Sequence, residues 1–166
     1  MEKGKLNRIT DVEGVLVGHK TISSGTHQTG VTFIRTAEDV FHQKLACGCS
    51  ILNGYLNSIR DCVVTKEDVY DAYSDCKKEF ELGSVGAGRG MSCFEMSGGI
   101  GSSSRVFEID GNTYTLGVLV LSNFGLREQY LLDKVEGNQL PLEQEKGSIM
   151  MILATDAPLS DRQPHR

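Results

Sequence analysis

Residues 147–158 read GSIMMILATDAP, a glycine and a serine followed by six apolar residues and a polar turn. The four residues before them, EQEK at 143–146, are polar or charged and predict an exposed loop. The apolar run from Ile149 to Ala154 has the length of one strand and ends at turn residues, which predicts a buried strand. The chain is therefore expected to pass from an exposed loop into the core at Gly147 and Ser148.

The Gly147–Ser148 bond at this junction suits self-cleavage as well as an ordinary turn. Glycine adds no bulk beside a carbonyl under attack, and it tolerates a strained backbone. Cleavage would leave Ser148 as a new N-terminus, and an α-amine with a pKa near about 8 can act as base for its own hydroxyl. Because glycine and serine before a strand are also common turn residues, local chemistry leaves both interpretations open.

Length and composition fit one cytoplasmic domain. The 166 residues are enough to bury a core, and 39% hydrophobic with 23% charged residues is typical of globular proteins. A net charge of -5 argues against a nucleic-acid or membrane-surface partner, because either needs a basic excess. No apolar run approaches the roughly 18 residues of a membrane span, and the N-terminus lacks the apolar core of a signal peptide.

The cysteines predict reduced thiols, with neither a disulfide framework nor a metal site. Their number is odd, and the CGC at 47–49 is too tightly spaced for a zinc-binding pair. Thiols of this kind are most often buried in a reducing compartment. The five are Cys47, Cys49, Cys62, Cys76 and Cys93.

The sequence contains one clear helix pattern and several strand patterns. Thr65 and Asp68 form a capping-box pattern for a helix from Lys66 to Phe80. The apolar stripe of that helix is expected in the core: Val69, Ala72, Tyr73, Cys76 and Phe80. Strands are expected on both sides of a turn within Ile9–His19, at Thr29–Ile34, Cys47–Leu52 and Arg105–Ile109, and at Tyr114–Leu121, which is apolar enough to be covered on both faces.

Two glycine-rich segments, 83–91 and 97–105, invite a nucleotide-binding interpretation. The first, GSVGAGRGM, has the wrong glycine spacing for the dinucleotide fingerprint, and the second, SGGIGSSSR, lacks the lysine of a Walker loop. Exposed backbone N–H groups there can still cradle an anion. The alternative is a pair of tight turns between packed strands.

Seven segments in order resemble the self-processing L-aminopeptidase/D-esterase (DmpA-like) serine aminopeptidases, which include β-peptidyl aminopeptidases. The resemblance spans nearly the whole chain, and the number and order of the segments make it specific. The matching stretches are ITDV with VLVGH within residues 9–19, TGVT at 29–32, GYLNSIR at 54–60, VGAG at 85–88, GGIG with SR within 98–105, NFG at 123–125, and GSI with ATDAP within 147–158.

The resemblance implies a four-layer αββα sandwich, two sheets between helices, in a single domain cut between Gly147 and Ser148. It implies Ser148 as nucleophile, Asn123 as oxyanion-hole amide and Tyr55 as its partner hydroxyl. It also implies release of N-terminal residues from small peptides, amides or esters with neither a metal nor an organic cofactor. Separately, the apolar edge from Ile149 to Leu153 is expected to favour a homo-oligomer. The residues expected to line the substrate pocket are Gly86, Gly88, Arg89 and Gly99.

Three departures from the family pattern shape the expectation for this chain. Two motifs are joined directly near Gly54, as if the segment between them were deleted. No match is found for a Ser and a Glu that follow the nucleophile in the family and support its amine. Arg89 stands where the family usually has Thr, which would place a bulky charge in the pocket. We therefore expect slow self-cleavage at most, and an alternative is an inactive chain that only binds or oligomerises.

Overall fold

The protein is described here by a computed structural model that covers residues 1–36, 57–127, 130 and 147–158. Short 3₁₀ turns lie at Ile9–Asp11, Ile59–Asp61 and Gly86–Gly88. The regular elements in chain order are β1 (Glu2–Lys3), β2 (Leu16–Ser24), β3 (His27–Arg35), α1 (Lys66–Ser74), β4 (Ser92–Cys93), β5 (Met96–Ser97), β6 (Gly99–Ile109), β7 (Asn112–Asn123) and β8 (Ser148–Thr155).

A four-stranded antiparallel sheet in the order β1-β6-β7-β8 forms the larger layer. Its β6–β7 hairpin turns through Asp110 and Gly111, whose φ angles of 51° and 76° suit the predicted turn. The predicted strand at 105–109 is longer than expected, because β6 begins at Gly99. The interpretation of residues 97–104 as a tight turn is therefore wrong for most of that segment. Its serines bond to neighbouring elements, for example from Ser102 Oγ to the Val118 carbonyl of β7 at 2.7 Å.

The β2–β3 hairpin packs across the core from this sheet. Alternation along β2 directs Val17 into the core and Gly18 to the opposite face, where a Cβ on Gly18 would collide with the backbone of α1 and the residues after it. Helix α1 therefore lies directly on the outer face of the hairpin. The buried core between the two sheets consists of Ile9, Val12, Val15, Val17, Phe80, Ile100, Leu119 and Leu121.

Helix α1 begins as predicted and ends six residues earlier. Thr65 Oγ1 accepts from the Asp68 backbone N–H, and the Asp68 carboxylate accepts from the Thr65 N–H at 2.8 Å. The helix stops at Ser74 because Lys77 exchanges two backbone hydrogen bonds with Val17, at 3.0 and 3.1 Å, and so joins the edge of β2. Ala72 and Phe80 are buried as expected, whereas Val69 and Tyr73 are 39% and 47% exposed, which corrects that part of the predicted stripe.

The predicted strand at the start of Ile9–His19 is instead a 3₁₀ turn, and only the second strand forms, as β2. The Asp11 carboxylate organises the turn by accepting from the N–H groups of Leu6 and Arg8 and from Ser104 Oγ at 2.6 Å. Burial raises the pKa of Asp11, but these hydrogen bonds outweigh it, so the pKa lies below its usual value. Local capping therefore takes precedence over the β-branched pattern there.

The two faces of β8 differ sharply in burial. Met150, Ile152 and Ala154 pack against the core, while the opposite face of the same strand is exposed. On neighbouring β7, Leu119 and Leu121 are buried and the opposite face is only half-buried, so the described residues cover one face of β7 and not both. Within the described ranges, no helix has both the length and the apolar character to cross a membrane.

Candidate active site

The ends of three antiparallel strands bring the candidate residues to one edge of the larger sheet. Since β6, β7 and β8 alternate in direction, the start of β6, the end of β7 and the start of β8 are adjacent. Gly99 lies opposite Ser122, and Asn123 lies opposite Ser148 in register. The structure thus brings together Gly99, Asn123 and Ser148, although about 25 residues of sequence separate each from the next.

Ser148 and Asn123 are in direct contact. The Asn123 side-chain amide donates from Nδ2 to Ser148 Oγ at 3.3 Å, and both residues are half-buried. The carbonyl end of the same amide accepts from the Ser92 backbone N–H at 3.2 Å. Asn123 therefore presents a donor beside the hydroxyl of Ser148. Such a donor can stabilise negative charge that develops on an oxygen close to that hydroxyl.

Gly147 is exposed and lies against Phe124. A Cβ on Gly147 would overlap the Cβ of Phe124 and come within 2.9 Å of its Cα, so a larger residue would displace the chain. Gly147 is not one of the glycines with positive φ in the described chain. Glycine is required here for the close approach to Phe124, and not for the strained backbone considered from sequence.

An aromatic cluster flanks this junction. The Phe94 ring makes an edge contact with the Phe124 ring at a centroid distance of 5.2 Å and contacts the Tyr130 ring at 5.3 Å. The Phe94 N–H also donates to the Phe124 carbonyl at 2.9 Å. Sequence reasoning assigned no role to Phe94 or Tyr130, and quoted Phe124 only as part of a motif. Only the proximity of Phe124 to Asn123 in the chain offered a signal.

The Gly86–Gly88 turn packs beside the same sheet edge. A Cβ on Gly88 would come within 2.9 Å of Gly99 Cα, so two of the candidate pocket glycines are neighbours. The N–H of Gly86 donates to Thr21 Oγ1 at 2.8 Å, and that of Ala87 donates to Thr32 Oγ1 at 3.1 Å. The next two N–H groups donate to the carbonyls of Val85 and Gly86. Four successive donors are thus already used, so this loop does not offer the anion cradle that the nucleotide-binding interpretation requires.

The charge of Arg89 is held by the β2–β3 hairpin. Its Nε donates to Gln28 Oε1 at 2.7 Å and one terminal nitrogen donates to Ser23 Oγ at 2.8 Å. This places the guanidinium at the turn end of the hairpin. Tyr55, the predicted partner hydroxyl, lies outside the described residues, as does the predicted strand at Cys47–Leu52.

His19 is linked to the Gly86–Gly88 turn through Thr32. Thr32 Oγ1 accepts from Ala87 and lies 2.9 Å from His19 Nδ1, and His19 Nε2 lies 3.1 Å from the Glu81 carbonyl. The carbonyl can only accept, so Nε2 carries the hydrogen and Nδ1 accepts from the Thr32 hydroxyl. Burial lowers the pKa of His19, although the Glu81 carbonyl and the charge of Asp75 raise it in part. Neutral His19 is therefore the form that this network holds.

Thiols and possible metal ligands are dispersed in the structure. Cys76 and Cys93 are free thiols, and burial raises the pKa of Cys76. Among the described residues, no three His, Cys, Asp or Glu side chains come close enough together to hold a metal ion. At the sheet edge the described residues present a hydroxyl, an amide and a backbone carbonyl.

Comparison with known proteins identifies the family of such a site. The chain matches peptidase family S58 over residues 7–55 and 52–166. It is 38% identical over 135 residues to the beta-peptidyl aminopeptidase BapA of Sphingosinicella microcystinivorans, covering 69% of this chain and 34% of that protein. It is 26% identical over 253 residues to BapA of Sphingosinicella xenopeptidilytica, covering 98% of this chain and 63% of that protein.

These matches bear on the expected internal deletion. The two segments that match the family meet and overlap at residues 52–55, where the sequence joins two motifs directly. The second alignment extends over 253 residues, more than the 166 of this chain, so that relative carries residues within the aligned span that this chain lacks. This chain spans about one third and about two thirds of the lengths of the two relatives.

The fold matches that of a solved aminopeptidase. A beta-aminopeptidase from Burkholderia sp. superposes with a TM-score of 0.72 at 27% identity, covering 95% of this chain and 64% of the other. The α/β fold that the resemblance implied is thereby confirmed. The described residues supply the four-stranded sheet, the β2–β3 hairpin, the core between them, one flanking helix and the small β4–β5 hairpin.

Proposed function

The chain belongs to peptidase family S58, and from that premise we propose that it is a serine aminopeptidase whose nucleophile, Ser148, is exposed by cleavage of the Gly147–Ser148 bond. Its substrates are small peptides, amides or esters with a free N-terminus, a class that includes the β-peptides named for its relatives. The observation that best supports this is the 3.3 Å contact between Asn123 Nδ2 and Ser148 Oγ. That contact pairs a hydroxyl with an amide donor at the loop-to-strand junction.

Self-cleavage is the first step of the proposal. Ser148 Oγ attacks the carbonyl carbon of Gly147, and the C–N bond to Ser148 breaks as an ester to Oγ forms. Water then hydrolyses the ester, which leaves a carboxylate on Gly147 and a free α-amine on Ser148. The lack of a side chain on Gly147 favours this attack, because glycine adds no bulk beside the carbonyl that Ser148 attacks.

Substrate hydrolysis uses the amine released in that step. With a pKa of about 8, about a tenth of the amine is neutral at pH 7, and this neutral form accepts the proton of Oγ as it attacks the substrate carbonyl. Asn123 Nδ2 donates to the oxygen that gains negative charge. The resulting ammonium returns its proton to the departing amine, and water hydrolyses the acyl ester on Ser148. A single oxyanion-hole donor is worth about 2.7–4 kcal/mol where its removal has been measured in a serine protease of a different fold.

The proposal extends to location and assembly. A cytoplasmic location agrees with cysteines that are free where the structure describes them at 76 and 93. Self-association agrees with the exposed outer face of β8, where Met151 and Leu153 are 61% and 66% exposed. A second copy of the chain is the partner that this face fits, since it would cover apolar side chains of both copies.

Hydrolysis of an aminoacyl p-nitroanilide tests the proposed activity. We expect release of p-nitroaniline by the wild-type chain and none by Ser148→Ala, with the melting temperatures of the two proteins within a few degrees of each other. Ser103→Ala is the matched control, since Ser103 Oγ contacts Asn7 and lies away from this sheet edge. Equal release by wild type and Ser148→Ala would show that another group is the nucleophile.

A further inference from the structure

The short β4–β5 hairpin touches Asn123 through its backbone. The Ser92 N–H donates to Asn123 Oδ1 at 3.2 Å, while Asn123 Nδ2 faces Ser148 Oγ. A carboxamide has one accepting end and one donating end, and a backbone N–H can only donate. If the amide were flipped, two donors would face each other at Ser92. The Ser92 N–H therefore determines which end of Asn123 is directed toward Ser148.

The register of the hairpin explains why this N–H points outward. Cys93 pairs with Met96 across a two-residue turn, and Ser92 pairs with Ser97. In an antiparallel hairpin of this length the pair next to the turn is hydrogen-bonded and the following pair is not. The next bond of the ladder runs from the Gly98 N–H to the Met91 carbonyl at 2.8 Å. The N–H of Ser92 is thus left free of the hairpin and available to Asn123.

The turn of this hairpin is strained. Phe94 and Glu95 have φ angles of 53° and 58°, in the left-handed region that a two-residue turn of this type requires. Such turns usually carry asparagine or glycine, and an ordinary L-residue there costs roughly 1–2 kcal/mol. Backbone strain of this kind persists only where the surrounding structure enforces it, and it is concentrated at functional sites.

Contacts of Phe94 enforce the strained turn. Its N–H donates to the Phe124 carbonyl at 2.9 Å, and its ring meets the Phe124 ring at 5.2 Å. The same ring lies against Gly125, where a Cβ would come within 2.6 Å of Phe94 Cε1. Phe94 is therefore fixed to the two residues that directly follow Asn123. The hairpin and the end of β7 are consequently held in one relative position.

We propose that the β4–β5 hairpin is a positioning device for Asn123. The strained Phe94–Glu95 turn packs on Phe124 and Gly125, and this places the Ser92 N–H against Asn123 Oδ1. The Nδ2 end of the same amide is then directed toward Ser148 Oγ. Ser92 and Phe94 are positioning residues and act only through Asn123. The inference rests on the proposed function for its consequence in catalysis, and on the geometry alone for the orientation of the amide.

Ser92→Pro and Ser92→Ala separate the backbone donor from the side chain. Proline removes the N–H without breaking a hairpin bond, whereas alanine retains the N–H and serves as the matched control. We expect Ser92→Pro to lower kcat about tenfold with little change in KM, and Ser92→Ala to behave as wild type. Equal kcat in both variants, with both folded, would overturn the inference.

Phe94→Leu provides a second variant should proline unfold the hairpin. We expect it to lower kcat several-fold in the wild-type background and to have no further effect when combined with Asn123→Ala, because Phe94 acts through that amide. Additive losses in the double variant would contradict this. If Asn123→Ala leaves kcat unchanged, the proposed function fails at the oxyanion donor, and the orientation of the amide is decided by spectroscopy.

Nuclear magnetic resonance of the Asn123 side-chain amide gives that readout independently of activity. In wild type and Ser92→Ala we expect two distinct Nδ2 hydrogen signals that exchange slowly with water, because both ends of the amide are bonded. In Ser92→Pro we expect these signals to shift and to exchange faster. Unchanged signals in Ser92→Pro would overturn the positioning role even where hydrolysis is absent in every variant.

Discussion

The Gly86–Gly88 turn and the Gly147–Ser148 junction both lie at the same edge of the larger sheet, but they differ in burial and in the use of their hydrogen-bond donors. Around the Gly86–Gly88 turn, four successive N–H groups donate to threonine hydroxyls or to neighbouring carbonyls, and Gly86 and Gly88 are buried. At Gly147–Ser148 a single glycine is exposed, and the serine hydroxyl meets one amide donor. The glycine-rich segment is thus a closed scaffold, while the open chemistry lies at an isolated glycine. In this protein the segment that is rich in glycine is a closely packed one, and the proposed reactive position lies at a single glycine elsewhere.

Removing the amide donor is the change with the largest expected effect on the open region. Asn123→Ala is expected to lower kcat for an aminoacyl p-nitroanilide roughly a hundredfold while KM changes little, because the donor meets full negative charge only in the tetrahedral state. Steady-state kinetics on folded protein measure this. Asn112→Ala, at the exposed opposite end of the same strand, is the control. An unchanged kcat in Asn123→Ala would show that Asn123 only ends the strand and does not act as the oxyanion donor. The two regions would then not differ in the way described.

Substitutions that break the hydrogen bonds of the Gly86–Gly88 turn are expected to lower the stability of the protein. Thr32→Val removes the acceptor of the Ala87 N–H and the partner of His19 Nδ1 without changing the side-chain shape. We expect a loss of about 1 kcal/mol in the free energy of unfolding, since the part-buried N–H of Ala87 is left without its acceptor. Urea titration measures it, and Thr32→Ser, which keeps the hydroxyl, should restore most of the loss. Equal stability of the valine and serine variants would mean that the hydroxyl does not hold the turn.

The same region predicts a dependence of stability on pH. The pKa of His19 is lowered in the folded state by burial, with Asp75 and Glu81 acting against the shift and Lys77 with it. Above its unfolded pKa of 6.5 the folded state keeps its full advantage, and stability falls as pH drops from there toward the lower folded pKa. We expect His19→Gln to flatten this part of the curve in calorimetry. A wild-type slope that survives in His19→Gln would assign the effect to other groups.

The smallest expected effect concerns association through the outer face of β8. Met151→Lys places a charge on this apolar face, and it is expected to shift the protein from oligomer toward monomer in analytical ultracentrifugation. Thr113→Lys adds the same charge at an exposed polar position of β7 and should leave the oligomer unchanged. A wild-type chain that sediments as a monomer at all concentrations would contradict this part of the proposal.

Much of the fold could be predicted because its signals are local. The Thr65 cap and the Asp110-Gly111 turn rest on chemistry within a few residues, and both form as expected. The start of β6 could not be predicted in this way. Residues 99–104 carry little apolar pattern, and pairing with β7 together with bonds from Ser103 Oγ and the Ser104 N–H to Asn7 stabilises them as a strand. Tertiary contacts decide the structure of that segment.

The candidate site shows the same division. The charged loop followed by an apolar run suggested Ser148 at the mouth of a strand, and the resemblance gave Asn123 its role as oxyanion-hole amide. Their contact depends on a register between strands that no local pattern encodes. The Phe94–Glu95 turn had no signal at all, because neither residue is typical of positive φ. The lowered pKa of His19 likewise has no local signal, because it comes from burial in the folded chain and persists although Glu81 and Asp75 act to raise it.

Intact mass spectrometry of the purified chain tests the central claim most directly. Incubated wild-type protein is expected to yield slowly a 147-residue and a 19-residue fragment, the second beginning at Ser148, while Ser148→Ala stays whole. Asn123→Ala should slow the appearance of both fragments. A wild-type chain that remains a single intact species, or a Ser148→Ala chain that splits at the same bond, would contradict the assignment of Ser148 as the nucleophile released by its own attack.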